Sequence, residues 1–171
     1  MEQVNFEEFA RELTRRLKEG LGENLVALAF FGSWARGEAR EESDIDLLLI
    51  ARELPLNPIE RGKVVYKPIE DMAGQGRISI LARTVEEFTA DVTPLHLDLS
   101  EDAVIIYDPE GFLESRLKRV RELIEEAGLE RRRNSQGILY WWWKGPPPEP
   151  GWSLTWEGFK GCFPERMPSS G

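Results

Sequence analysis

In 171 residues the chain has one cysteine, Cys162, and one histidine, His96. A lone cysteine cannot close an internal disulfide, so the chain does not read as a disulfide-stapled secreted domain. A lone histidine excludes a multi-histidine metal centre. Any histidine acid–base chemistry would rest on His96 alone, and no activated-serine motif accompanies it; we read His96 as structural or exposed. There is no run of 18 apolar residues, and hence no predicted membrane-spanning helix. The N-terminus is polar and acidic, unlike a secretory leader. Together these features lead us to expect a cytoplasmic protein with no membrane partner. Positive charge is scarce as well: 22 Lys and Arg stand against 31 Asp and Glu, for a net charge of −9. Phosphate contacts dominate non-specific nucleic-acid affinity, so general binding to nucleic acid is not expected. A nucleotide is still allowed, because metal ions can meet its charge locally.

What is present is concentrated in residues 31–46. The apolar run Leu25 to Phe31 reads as a buried strand and is broken by Gly32-Ser33. Glycine lets a backbone approach a ligand closely, and Ser33 can cap a following helical turn. A strand–Gly-Ser–helix junction aims backbone N–H groups and a hydroxyl at one spot, which suits a phosphate. Asp44 and Asp46 then open a second apolar run through Ile50. At i and i+2 of a strand both carboxylates face one way. Such a pair repels itself and needs cations or donors. Magnesium takes oxygen ligands, usually one or two carboxylates plus substrate phosphates. Two such ions can flank an in-line displacement at phosphorus.

The pattern Phe31-Gly32-Ser33, ten residues, then Asp44-Ile45-Asp46-Leu47 resembles the DNA polymerase β-type nucleotidyltransferase superfamily. Arg36-Gly37 and Ser43 resemble its small stand-alone prokaryotic members. The resemblance implies that Gly32 and Ser33 hold the triphosphate, with Arg36 neutralising phosphate, and that Asp44 and Asp46 bind two Mg2+ ions. An NTP, ATP by default, would donate its nucleoside monophosphate to an acceptor hydroxyl and release pyrophosphate. The acceptor, a small molecule or a protein, is left open. Active members commonly carry a third carboxylate on a later strand. The candidate strand here is 77–82, where Ser79 holds the expected acidic position. Asp98 is the replacement we favour as catalytic, followed by Glu70 and Asp71. The alternative is a weak or inactive relative acting as an antitoxin-like regulatory partner of a helical protein.

Elsewhere the pattern alternates. Asn5, with Glu8, is expected to cap a helix carrying Phe6, Phe9, Ala10, Leu13 and Leu17, ended by Gly20 and Gly22. Residues 58–72 read as helix, with Pro68 disturbing it and Val64 to Tyr66 open to a strand reading. Gly74-Gln75-Gly76 marks a turn. Thr84 with Glu87 forms a capping box, Thr93-Pro94 begins another helix, and Ala103 to Tyr107 reads as strand. A helix through Leu113, Leu117, Val120 and Ile124 ends at Gly128. Its Arg116, Lys118, Arg119 and Arg121, with Arg131 to Arg133, form either a solvated face or a phosphate or RNA contact.

We therefore expect an α/β (α+β) fold: a mixed, twisted sheet with helices packed mainly on one face. The nucleotidyltransferase-like domain would span 1–139. A Trp/Pro-rich extension, 140–171, holds five of the six tryptophans. This extension would clasp the domain, form a partner surface or stack on a base. A homodimer through it is compatible with the pattern. The last four residues are expected to fray.

Overall fold

A computed structural model describes residues 6–40, 43–75 and 77–164. Asn5, Gly76 and residues 168–171, to which expectations attach, lie outside the described residues.

Four strands form the central sheet: β1 (Leu25–Phe31), β2 (Ile45–Ala51), β3 (Ile78–Thr84) and β4 (Val104–Tyr107). Their order is β3-β2-β1-β4. β1 is antiparallel to both neighbours, whereas β2 and β3 run parallel. A parallel pair needs a long crossover, supplied by α3 (Pro58–Tyr66) and a 3-10 segment, Lys67–Gln75. Pro68 lacks the N–H that an α-helix needs, and the change of helix type falls beside it. Residues 64–66 belong to the helix, not to a strand.

Helices cover both faces of the sheet, not mainly one. On one face α1 (Phe6–Leu21), α3 and the 3-10 segment bury Leu13, Leu17, Val65 and Ile69 against Leu28, Phe30, Leu47 and Leu49. On the other, α4 (Val85–Ala90), α5 (Pro94–Asp102) and α6 (Phe112–Ala127) bring Phe88, Leu99, Leu113 and Leu117 onto Ala27, Ala29, Leu48 and Ile50. The period-two alternation along β2 sends odd residues to one layer and even residues to the other. A strand buried on both faces shows a continuous apolar run in place of alternation, and Leu47 to Ile50 carry that run.

The capping box at Thr84 is formed: its hydroxyl accepts from Glu87 N–H, and the Glu87 carboxylate accepts from Thr84 N–H. Gly128 ends α6 in the left-handed region at φ 65°. Two further hairpins follow. β5 (Leu129–Arg133) pairs with β6 (Leu139–Trp143), and β7 (Ser153–Thr155) pairs with β8 (Gly158–Lys160). Arg131 to Arg133 are therefore strand residues. Trp143 packs with Val120, Ile124, Ala127 and Leu129, joined by Trp156 and Phe159, so both hairpins close over α6. None of the described helices is long and apolar enough to cross a membrane.

Candidate functional site

The Gly-Ser turn sits where β1 ends. Phe31 is extended (φ −147°, ψ −172°), and Gly32 then takes φ 73°, opening a four-residue helix, α2 (Gly32–Ala35). The N-cap position belongs to Phe31, and no side chain caps the helix. Ser33 therefore lies inside the first turn and is not its cap, as the sequence had suggested. Its carbonyl accepts from Glu38 N–H at 2.9 Å, closing the turn. Trp34 anchors α2 by stacking on Phe6, ring centroids 5.1 Å apart.

The register of the sheet carries Asp46 to this turn. Asp46 stands opposite Phe31 on β1 and opposite Ser79 on β3. Gly32 packs directly on its carboxylate: a methyl group there would overlap Asp46 Oδ2, with Cγ only 3.3 Å away. Asp46 is half-buried, and its pKa lies above the ordinary carboxylate value. Desolvation is the main cause and the neighbouring Asp44 charge adds to it, while the Arg36 charge pulls it back. Asp44 is more exposed and lies 3.7 Å from Arg77 Nε. Two adjacent carboxylates, one of which resists ionisation, form a donor set that a hard divalent cation would relieve. Among the described residues no group of three or more His, Cys, Asp or Glu forms a metal-sized cluster.

A cavity of about 370 Å³ opens beside Asp44, lined by Tyr66, Ile69, Glu70, Arg77, Ile78 and Ser79. Tyr66 forms part of its wall, and the Tyr66 hydroxyl accepts from Ile80 N–H at 2.8 Å on the outer edge of β3. Of the three carboxylates considered for the third acidic role, Glu70 shares this cavity with Asp44. Asp71 is ion-paired with Arg16 on α1. Asp98, on α5, accepts from Trp141 Nε1 at 2.8 Å and lies 3.7 Å from Arg131.

Arg36 leaves α2 and is largely enclosed, with its side chain 24% exposed. Its Nη1 donates to Asp102 at 2.9 Å and its Nε to Glu38 at 3.0 Å. Asp102 is buried and also receives both Nη atoms of Arg131, at 2.7 and 2.6 Å. Sequence reasoning passed over Asp102, because no local pattern marks an acidic residue at a helix end as buried. The other arginines of the basic region are largely paired within the chain: Arg119 with Glu122 and Glu126, Arg121 with Glu114, Arg132 with Glu130.

His96 is buried at 4% exposure. Thr93 N–H donates to its Nδ1 at 3.1 Å, and its Nε2 lies 2.9 Å from Phe88 carbonyl oxygen. That arrangement satisfies the neutral ring, and burial holds its pKa below the usual value. Its role is structural.

Comparison with known proteins shows the family of the chain. A family model, the nucleotidyltransferase domain, matches residues 10–132. The chain is 33% identical over 117 residues to "Putative protein adenylyltransferase MJ1305" of Methanocaldococcus jannaschii, a match covering 67% of this chain and 80% of that protein. A second protein from the same organism, "Putative protein adenylyltransferase MJ1215", is 45% identical over 47 residues, 26% of this chain and 55% of its own length. Among solved structures, one described as a toxin–antitoxin with AMP-PNP superimposes with a TM-score of 0.51 at 16% identity, over 68% of this chain and 86% of that one. At that identity the superposition establishes a shared fold.

Proposed function

The chain belongs to the nucleotidyltransferase domain family, and we propose that it moves a nucleoside monophosphate from an NTP, with ATP the first candidate, to a hydroxyl on a protein acceptor. The observation that carries this reading is the packing of Gly32 on Asp46. It sets the Gly-Ser turn against a carboxylate that has no hydrogen-bonded partner among the described residues. The names of the Methanocaldococcus relatives support the adenylyl group and the protein acceptor.

In this reading the acceptor oxygen attacks the α-phosphorus in line. The bond from that phosphorus to the β-bridging oxygen breaks, and pyrophosphate leaves. The acceptor proton passes to a carboxylate, for which Asp98 and Glu70 are the two candidates. Ser33 and the adjoining backbone N–H groups orient the phosphates, and Arg36 balances their charge. Asp44 and Asp46 would hold Mg2+, which when bound neutralises charge on the phosphates and leaving group. Most of the rate would come from positioning and preorganised charge. Asp46→Asn tests the proposal. It should abolish transfer of radiolabel from [α-32P]ATP to protein and leave the thermal unfolding of the apo protein intact. Full transfer by that variant would sink the reading.

A second reading has one specific observation behind it. Ser79 stands beside Asp46 in register, where an acidic residue would complete the set. A chain of this design could bind nucleotide without turning it over and act as a regulatory partner of another protein. Nucleotide binding with no transfer to any co-purified protein would favour it.

A further inference from the structure

The basic end of β5 does not face solvent as a free patch. Arg131 and Arg133 lie at i and i+2 of the strand and so project to one side. Arg131 grips Asp102 with two charge-assisted bonds at 2.7 and 2.6 Å. Arg133 Nη2 donates to Glu38 Oε1 at 2.5 Å. Asp102 and Glu38 are the same two carboxylates that hold Arg36, through its Nη1 and Nε. The result is an alternating row, Arg133–Glu38–Arg36–Asp102–Arg131, whose two ends lie on β5 and whose middle, Arg36, directly follows the helix that Gly32 opens. The inner end of the row is fixed further: Arg131 lies over Trp141, 5.9 Å from its centroid, and Trp141 donates to Asp98.

Burial of Asp102 does not by itself require Arg36, because the bidentate Arg131 already supplies the charge and geometry that a buried carboxylate demands. Arg36 has two of its three nitrogens committed to carboxylates, and no described residue accepts from Nη2. A planar guanidinium held at two points has its third edge aimed. Arg36 is carried on the turn itself: its backbone N–H donates to the Gly32 carbonyl at 3.2 Å, and Gly32 packs on the Asp46 carboxylate.

We propose that β5 is a positioning element of the nucleotide site: Arg131 and Arg133 hold Asp102 and Glu38 so that Arg36 presents its free edge to the phosphates of an NTP. This rests on the proposed nucleotide-binding role of the Gly-Ser turn. Arg131 and Arg133 would touch no ligand and act only through Arg36.

The experiment is a mutant cycle read by isothermal titration with the α,β-methylene analogue of ATP and MgCl2, well below the unfolding temperature. Arg36→Met is expected to weaken binding about tenfold, the loss of roughly one charged contact. Arg131→Met should weaken it to a similar degree. The double variant should bind no more weakly than Arg36→Met alone, because Arg131 then has nothing left to position. A merely structural Arg131 would lower the unfolding temperature and leave this affinity unchanged. Arg133→Met, at a half-exposed pair, guards against misfolding of the Arg131 variant and should give a smaller loss of the same dependence. Wild-type binding with unaltered affinity in Arg131→Met and Arg133→Met overturns the proposal and leaves the nucleotide site standing. So does an additive loss in the double variant. Absence of binding by the wild type overturns both.

Discussion

Gly32 and Asp46 are in such close contact that a side chain at position 32 would force the Asp46 carboxylate to move. The backbone there has φ 73°, and any Cβ would run into the Asp46 carboxylate. The strand register that places Phe31 opposite Asp46 brings Gly32 beside that residue. The turn proposed to bind phosphate and the carboxylate proposed to bind metal are thus built as one unit.

Gly32→Ala should therefore damage stability and site together. The left-handed backbone alone costs an L-residue about 1–2 kcal/mol, and the clash adds to it. We expect a lower unfolding temperature and at least a tenfold loss of ATP affinity. Gly22→Ala, also at positive φ but in open space, should lower stability and spare affinity. Equal affinity in both variants would separate the turn from nucleotide binding.

Metal binding should be sensitive to acid above the usual carboxylate range. Asp46 has a raised pKa from desolvation and from Asp44, so protons compete with a cation at a higher pH than at an ordinary aspartate. Mn2+ affinity, followed by water-proton relaxation, should fall as pH drops through that raised value. In Asp46→Asn the affinity should be low and nearly flat with pH. For folding the sign is opposite. Protonating Asp46 relieves its desolvation, so the metal-free protein gains stability from this group as pH falls.

The third carboxylate can be assigned by a matched set of variants. If Glu70 takes the acceptor proton from its place in the cavity beside Asp44, Glu70→Gln should cut kcat by about 10²–10⁴-fold with ATP affinity kept. Ser79→Asp, beside Asp46 in register, should then restore part of the loss. If Asp98 takes it, Asp98→Asn should show that loss instead. Steady-state kinetics with the acceptor separate the two.

Acid should weaken the fold through His96. Its pKa is depressed by burial below the ordinary 6.5, so the folded state resists a proton that the unfolded chain accepts. Its stabilising contribution is complete above about pH 6.5 and is lost as pH falls toward the folded value. Urea melts between pH 7.5 and 5.5 should show declining stability, with a shallower decline in His96→Asn. Identical slopes would remove His96 from the account.

Much of this was legible in one dimension. Leu25 to Phe31 and Ile45 to Ala51 announce two buried strands by their apolar runs. The spacing of Leu13 and Leu17 announces α1, and Thr84 with Glu87 announces the start of α4. Each signal is local and repeats with the period of its own element. β5 was less visible, because its Glu130-Arg131-Arg132-Arg133 has no apolar alternation; its strand character comes from pairing with the tryptophans of β6.

The sequence by itself determined the chemistry available: a Gly-Ser break after one buried strand, two aspartates at the head of the next, and no histidine cluster or second cysteine to support another mechanism. It also determined the main helices and central strands, since these follow from hydrophobic period and capping within a few residues. Only the tertiary structure decided which helices cover each face, that Glu70 shares a cavity with Asp44, and that Asp102, Arg131 and Arg133 close the ion-pair row around Arg36. The pairs Arg36–Asp102, Arg131–Asp102 and Arg133–Glu38 join residues 66, 29 and 95 positions apart. Ion pairs at such separations leave no periodic trace in a chain, because charge carries no direction until the fold brings the partners together.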